Sequence, residues 1–219
     1  MMKNKKIFYT GLSLLATFVL WTVLLCFVDV KAIGPNGSLV GLATINGFVH
    51  SLTGVNMTLY VITDWLGLVP IAVALGFAIL GLVQLIKRKR LLRVDSSILI
   101  LGGFYVAVIT VYILFEMVVI NYRPTLINGY LEASYPSSTT MLVMCVMPTA
   151  MMQLRTRIKN AKLQKITMLT IAVFIAFMVI GRLASGVHWI TDIIGGALFS
   201  AGAVLIYYAT TKYFCNKKD

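Results

Sequence analysis

The sequence predicts an all-α integral membrane bundle of six transmembrane helices with both termini in the cytoplasm. Three observations carry that prediction. Of the 219 residues, 59% are hydrophobic, only 12% are charged, and the cations gather between apolar runs. A soluble domain has roughly 45–50% apolar and about 25% charged residues, and the mean hydropathy here is +0.92. The length suits one membrane domain over residues 1–219.

The first apolar run, 7–28, follows Lys3, Lys5 and Lys6. It exceeds the usual 7–15-residue signal core and no small-residue cleavage site follows, so it reads as a retained span. Residues 29–62 form the longest external connection, opening on the turn-rich Asp-Val-Lys-Ala-Ile-Gly-Pro-Asn-Gly. Its 38–54 stretch, with His50, suits either an interfacial amphipathic helix or a partial cover over a site. The second span is expected at 63–86, where Trp65 marks the interface between Asp64 and Pro70. The third, 97–119, leads into a polar loop at 120–136. The fourth, 137–154, carries Met141, Met144, Met147, Met151 and Met152 as packing residues and Pro148 as a kink. The fifth and sixth, 166–184 and 189–211, complete the set, with Gly195, Gly196 and Ser200 suited to close helix packing. Most runs reach or approach the roughly 20 residues that cross the hydrocarbon.

Charge placement orients the bundle. Sixteen of the 19 basic residues fall on one side of the six-span arrangement: Lys3, Lys5 and Lys6; Lys87, Arg88, Lys89, Arg90 and Arg93; Arg155, Arg157, Lys159, Lys162 and Lys165; Lys212, Lys217 and Lys218. Only Lys31, Arg123 and Arg182 fall opposite. The positive-inside rule puts the larger set in the cytoplasm. The net charge of +12 is therefore topology, with some affinity for anionic lipid, and not a nucleic-acid surface. Cys26, Cys145 and Cys215 lack metal spacing and suit packing, so no disulfide framework is expected.

Between the fifth and sixth spans stands Gly-Arg-Leu-Ala-Ser-Gly-Val-His-Trp-Ile-Thr-Asp. Polar groups at this depth are functional candidates. His188 and Asp192 are four apart, so on a helix they share a face and the carboxylate orients the imidazole. Arg182 supplies a fixed cation for phosphate oxygens. Singly, Arg182 reads as a snorkelling cation and Asp192 as a helix N-terminal carboxylate. Jointly with His188 they suggest a histidine nucleophile acting on a phosphate ester at a membrane surface.

Three stretches in order, Glu116-x6-Arg123-Pro124, Pro136-Ser137-Ser138-Thr139 and Gly181-Arg182-x5-His188-x3-Asp192, resemble the motifs of the type 2 phosphatidic acid phosphatase and vanadium haloperoxidase superfamily. Those motifs are Lys-x6-Arg-Pro, Pro-Ser-Gly-His and Ser-Arg-x5-His-x3-Asp. The resemblance covers 116–192. It implies a lipid phosphate phosphatase in which Arg123, Arg182 and the Ser137 region bind phosphate. It further implies that His188 attacks phosphorus and Asp192 fixes its tautomer. The bilayer and a lipid phosphate would be its partners, with no nucleic acid, cofactor or metal; the sequence sets no oligomeric state. A bacterial plasma membrane with the site facing outward is the expected location.

The departures leave three readings open. Thr139 stands where the family's acid histidine is expected, and a threonine hydroxyl is a poor general acid. Glu116 stands in place of the lysine, while Ser138 and Gly181 replace a glycine and a serine. In one reading the leaving group needs little protonation, as in an isoprenyl diphosphate such as undecaprenyl diphosphate. In another, Glu116 or His50 transfers the proton. Glu116 is two helical turns before Arg123, on one face with it, and equally suits a structural ion pair with that arginine. In the third, the chain binds or moves anionic lipid without hydrolysis. Thr139 and Thr140 also suit capping at a helix start.

Overall fold

Long apolar runs bounded by polar caps fold here as helices, in a computed structural model that describes residues 2–215. In chain order they are α1 (Met2–Phe27), α2 (Ala43–Thr53), α3 (Met57–Leu66), α4 (Leu68–Arg88), α5 (Ser96–Met117), α6 (Ser138–Arg157), α7 (Ala161–Ala184) and α8 (Ile190–Cys215). Asn56 caps α3 by accepting from Leu59 N at 2.9 Å, and Asn160 caps α7 by accepting from Leu163 N at 3.0 Å. Each satisfies one backbone donor that the first helical turn leaves unpaired. Lys217 and Lys218, placed above in the basic set, lie outside the described residues.

Among the described residues, five stretches are long and apolar enough to cross a membrane: Asn4–Phe27, Met57–Arg88, Ser96–Met117, Ala161–Ala184 and Ile190–Phe214. The segment expected at 137–154 does form a helix, α6, but it is not among those five. The reason is its position. α6 packs on α4, α5, α7 and α8, and Val143, Cys145 and Ala150 are fully buried. A helix screened from lipid by its neighbours can carry threonine and glutamine, provided they find partners. Thr149 Oγ1 donates to Cys145 O at 2.8 Å, and Gln153 Nε2 donates to the Tyr207 hydroxyl at 2.6 Å.

The second span differs from expectation at its start. The apolar stretch begins at Met57, because Asn56 supplies a cap that the sequence reading passed over, and α3 passes into α4 at Gly67. Residues 38–54, open between two roles, supply α2, which packs against α8. Asn46 Nδ2 donates to Thr191 Oγ1 at 2.9 Å, at the start of α8.

α1 packs along α8. At Gly11 and Gly202 the backbones approach so closely that a Cβ on either would meet the other's carbonyl oxygen at 2.9 Å. Higher up, Trp21 Nε1 donates to Thr191 O at 3.2 Å and Thr22 Oγ1 lies 2.7 Å from the Tyr135 hydroxyl. The ends of α1, α3, α5 and α7 and the starts of α4, α6 and α8 therefore share one end of the bundle. The opposite end holds Arg88 on Asp95 at 2.8 Å, Arg157 on the Gln153 carbonyl at 2.8 Å and the loop at 158–160.

Candidate phosphate site

The turn between α7 and α8 sets His188 by a capping geometry. α8 begins at Ile190, so Asp192 is its third residue and Trp189 its cap. Trp189 N donates back to Asp192 Oδ2 at 2.8 Å, the carboxylate half of a capping box. His188 precedes the helix and does not share a helical face with Asp192 as expected. The pair is nonetheless close, with Nδ1 3.6 Å from Asp192 Oδ2. That separation is beyond hydrogen-bond range. Ser134 fills the gap: its hydroxyl donates to Asp192 Oδ2 and lies 3.4 Å from His188 Nδ1. His188 and Asp192 are buried, and His188 Nε2 is a buried nitrogen with no hydrogen-bond partner. Burial, together with the charges of Arg123 and Arg182, holds the His188 imidazole well below its ordinary value, so it is neutral near pH 7.

Two arginines face this histidine. Arg182, 1% exposed, donates from Nη2 to Asp64 Oδ1 at 3.1 Å and from Nη1 to Thr63 Oγ1 at 3.3 Å. Its guanidinium lies 4.9 Å from the Tyr60 ring centre, and that of Arg123 lies 5.8 Å from the same centre. One aromatic ring on α3 thus bridges two like charges. Arg182 Nε and Arg123 Nη1 are buried without acceptors. Unsatisfied buried donors are costly, and several that converge beside an unpartnered imidazole nitrogen suit an anion with several oxygens.

Arg123 departs from expectation. Its ion pair is with Glu132, Nε to Oε2 at 3.1 Å, and not with Glu116. α5 ends at Met117, so the helical spacing that would align Glu116 with Arg123 is broken. The chain instead runs in an extended loop where Tyr122 bridges to Ala133. Glu116 lines a small cleft with Tyr112, Ser134, Tyr135 and Ser138.

Ser137 is the cap of α6 and accepts from Thr140 N at 3.5 Å. Its own amide donates to Asp192 O at 3.1 Å, which ties the start of α6 to the start of α8. Thr139 and Thr140, expected as caps, occupy the first turn that Ser137 caps. Thr139 sits against the α3–α4 joint, where a Cβ on Gly67 would be 3.7 Å from its Cγ2. His50 Nε2 lies 3.1 Å from Gly186 O and its ring is 5.4 Å from that of Trp189. The turn, α6 and both arginines therefore converge, while His50 and Glu116 flank them.

Ser134, Tyr60 and Thr63 belong to none of the motifs read from the sequence, and Asp64 joins the site only through the fold. A carboxylate within an apolar run was the available signal for Asp64; Ser134 carried none. At Gly181 a Cβ would meet Thr63 Cγ2 at 2.8 Å. The close approach of α3 accounts for glycine at a position where the resemblance puts serine.

Residues 117–215 match the PAP2 superfamily. The fold is similar to a crystal structure described as the first transmembrane PAP2-type phosphatidylglycerolphosphate phosphatase from Bacillus subtilis. The similarity covers 96% of this chain and 98% of that one, with a TM-score of 0.56 and 22% identity. No curated protein sequence matches significantly.

Proposed function

We propose, from the match of residues 117–215 to the PAP2 superfamily, that this chain is a member of that family and a membrane lipid phosphate phosphatase acting through a phosphohistidine. The observation that carries the reading is His188 Nε2, buried and unpartnered beside two arginines with unpaired N–H groups. Arg123, Arg182 and the amides at the start of α6 hold the phosphoryl oxygens and offset charge in the transition state. Nε2 attacks phosphorus as the bond to the leaving oxygen breaks. Asp192, through Ser134, holds the Nδ1 side of the ring and favours its cationic form. Water then attacks phosphorus and frees His188.

Substrates are lipid mono- or diphosphates. Thr139 offers no useful acid, which costs about 10²–10⁴-fold with an alkoxide leaving group and far less with a phosphate. An isoprenyl diphosphate is accordingly favoured. Six spans, cytoplasmic termini and an outward-facing site complete the reading. In support, the site and the basic residues of α4 and α6 lie at opposite ends of the bundle.

A second reading, a lipid-phosphate binder without turnover, draws on the carboxylates Asp64 and Glu132 already paired with the two arginines. Phosphate release separates the two. Purified protein in detergent is expected to release inorganic phosphate from a polyprenyl diphosphate, and His188→Ala to abolish it. No turnover on polyprenyl diphosphate, diacylglycerol phosphate or phosphatidylglycerol phosphate overturns the enzyme reading.

A further inference from the structure

We propose that Asp64 is the general base that activates water for hydrolysis of the His188 phosphoryl intermediate, replacing the proton-transfer group that Thr139 lacks. The proposal rests on the phosphohistidine reading above.

Asp64 lies in the last turn of α3, inside a stretch apolar enough to cross a membrane. A carboxylate there is expensive and calls for a partner and a role. Its partner is Arg182, at 3.1 Å from Asp64 Oδ1. The two members of the pair differ sharply in environment: the Arg182 side chain is 1% exposed, whereas that of Asp64 is 56% exposed. One edge of the carboxylate thus binds the phosphate-facing arginine and the rest is uncovered by protein. A group that must take a proton from water and pass it on needs both.

Placement relative to Thr139 gives the second argument. Gly67 N donates to Asp64 O at 3.0 Å, so Asp64 is one turn before the joint that abuts Thr139. The α3–α4 joint therefore brings a carboxylate to the side of the site where the titratable side chain is missing. The other candidates are less well placed. Glu116 opens on the cleft by Ser134, which is the Nδ1 side of His188 and not the Nε2 side. His50 Nε2 is engaged with Gly186 O. A carboxylate is the wrong protonation state for an acid and the right one for a base. This division fits a substrate whose leaving group departs without a proton and an intermediate whose water must lose one.

In the step itself, the water oxygen bonds to phosphorus as the bond from phosphorus to Nε2 breaks. The electron pair returns to Nε2 and leaves a neutral imidazole. One water proton moves to Asp64, which releases it to solvent, and inorganic phosphate departs.

The test uses the full chain in detergent with a polyprenyl diphosphate radiolabelled on its terminal phosphate, comparing wild type, Asp64→Asn, Asp64→Glu and His188→Ala. Asn keeps an oxygen for Arg182 and cannot take the proton. The expected result for Asp64→Asn is a pre-steady-state burst of polyprenyl monophosphate within about threefold of wild type. Its steady-state turnover should fall about 10²–10⁴-fold, and acid-labile label should accumulate on His188. Asp64→Glu should recover at least about tenfold of that loss. Unchanged turnover in Asp64→Asn overturns the proposal. So does loss of burst and turnover together, which makes Asp64 a positioning residue for Arg182. Phosphate release by wild type with no labelled histidine in either protein overturns the phosphohistidine reading instead, and no release at all overturns the phosphatase reading.

Discussion

Gly195→Ala adds one methyl group at a tight joint beside the site. The new Cβ would lie 2.4 Å from Tyr135 Cε2 and 2.8 Å from its Cζ and hydroxyl oxygen. The optimal carbon separation is about 3.5–4.0 Å, so the ring must retreat by roughly 1 Å. It has little freedom to do so. Tyr135 is 2% exposed, stacked on Phe18 with centroids 6.2 Å apart, edge-on to Phe115 at 5.7 Å, and tied to Thr22 at 2.7 Å. Overpacking of this kind costs about 1–3 kcal/mol, and losing the Thr22 hydrogen bond adds about 1 kcal/mol. A destabilisation of about 2–4 kcal/mol is expected. Ser134 and Ser137 flank Tyr135 in sequence, so a displaced ring also moves Asp192 and the α6 cap; a misplacement of about 1 Å can cost about 10²-fold in rate. The control is Gly103→Ala, where a Cβ meets nothing within 4 Å and helix propensity favours alanine by about 0.5–1 kcal/mol. Unfolding midpoints in detergent and phosphate release from a lipid substrate measure both effects. Equal stability of the two alanine variants would refute the reasoning.

Ser134→Ala removes a donor from the buried Asp192 carboxylate, a hydrogen bond worth about 1.5–3 kcal/mol; turnover should fall about 10–150-fold with KM little changed, as steady-state kinetics will report. His188, depressed by burial and by Arg123 and Arg182, stays neutral and nucleophilic as pH falls through the ordinary histidine range. The acid limb of the burst rate should therefore have its midpoint below about 6.5, and Arg123→Gln should move that midpoint upward; a midpoint at or above the ordinary value counts against the electrostatic account. Thr139→His should raise monoester hydrolysis much more than diphosphate hydrolysis, since only the alkoxide needs the proton; an equal gain on both would remove the argument for a diphosphate.

Local signals in the sequence carried the helices, because apolar runs and basic junctions report burial in lipid directly. They carried His188, Asp192, Arg123 and Arg182 because those residues recur at family spacings. Distant pairings were not legible. Ser134 reaches Asp192 across 58 positions, and Arg182 reaches Asp64 across 118. Nothing in the local pattern of either partner encodes the other. The Glu116–Arg123 spacing misled for the same reason: two helical turns align residues only while the helix lasts, and α5 ends one residue after Glu116. α6 was expected as an ordinary span, and its polar content became intelligible only once its neighbours were in place.

The contacts from α1 to α8 impose an order of events during biosynthesis. Phe27 ends α1 and Ile190 begins α8, roughly 160 residues apart. At about 5–20 residues per second, the first helix waits roughly 8–30 s in the bilayer before its partner is made. During that interval the indole of Trp21 lacks the acceptor that α8 later supplies, and the Thr22 hydroxyl, which donates to Phe18 O within α1, lacks its partner Tyr135. The His188 turn is therefore finished only when α1 clasps the later-made α8. A fragment carrying every recognisable motif from residue 116 onward would still lack the post on which the His188 turn is hung.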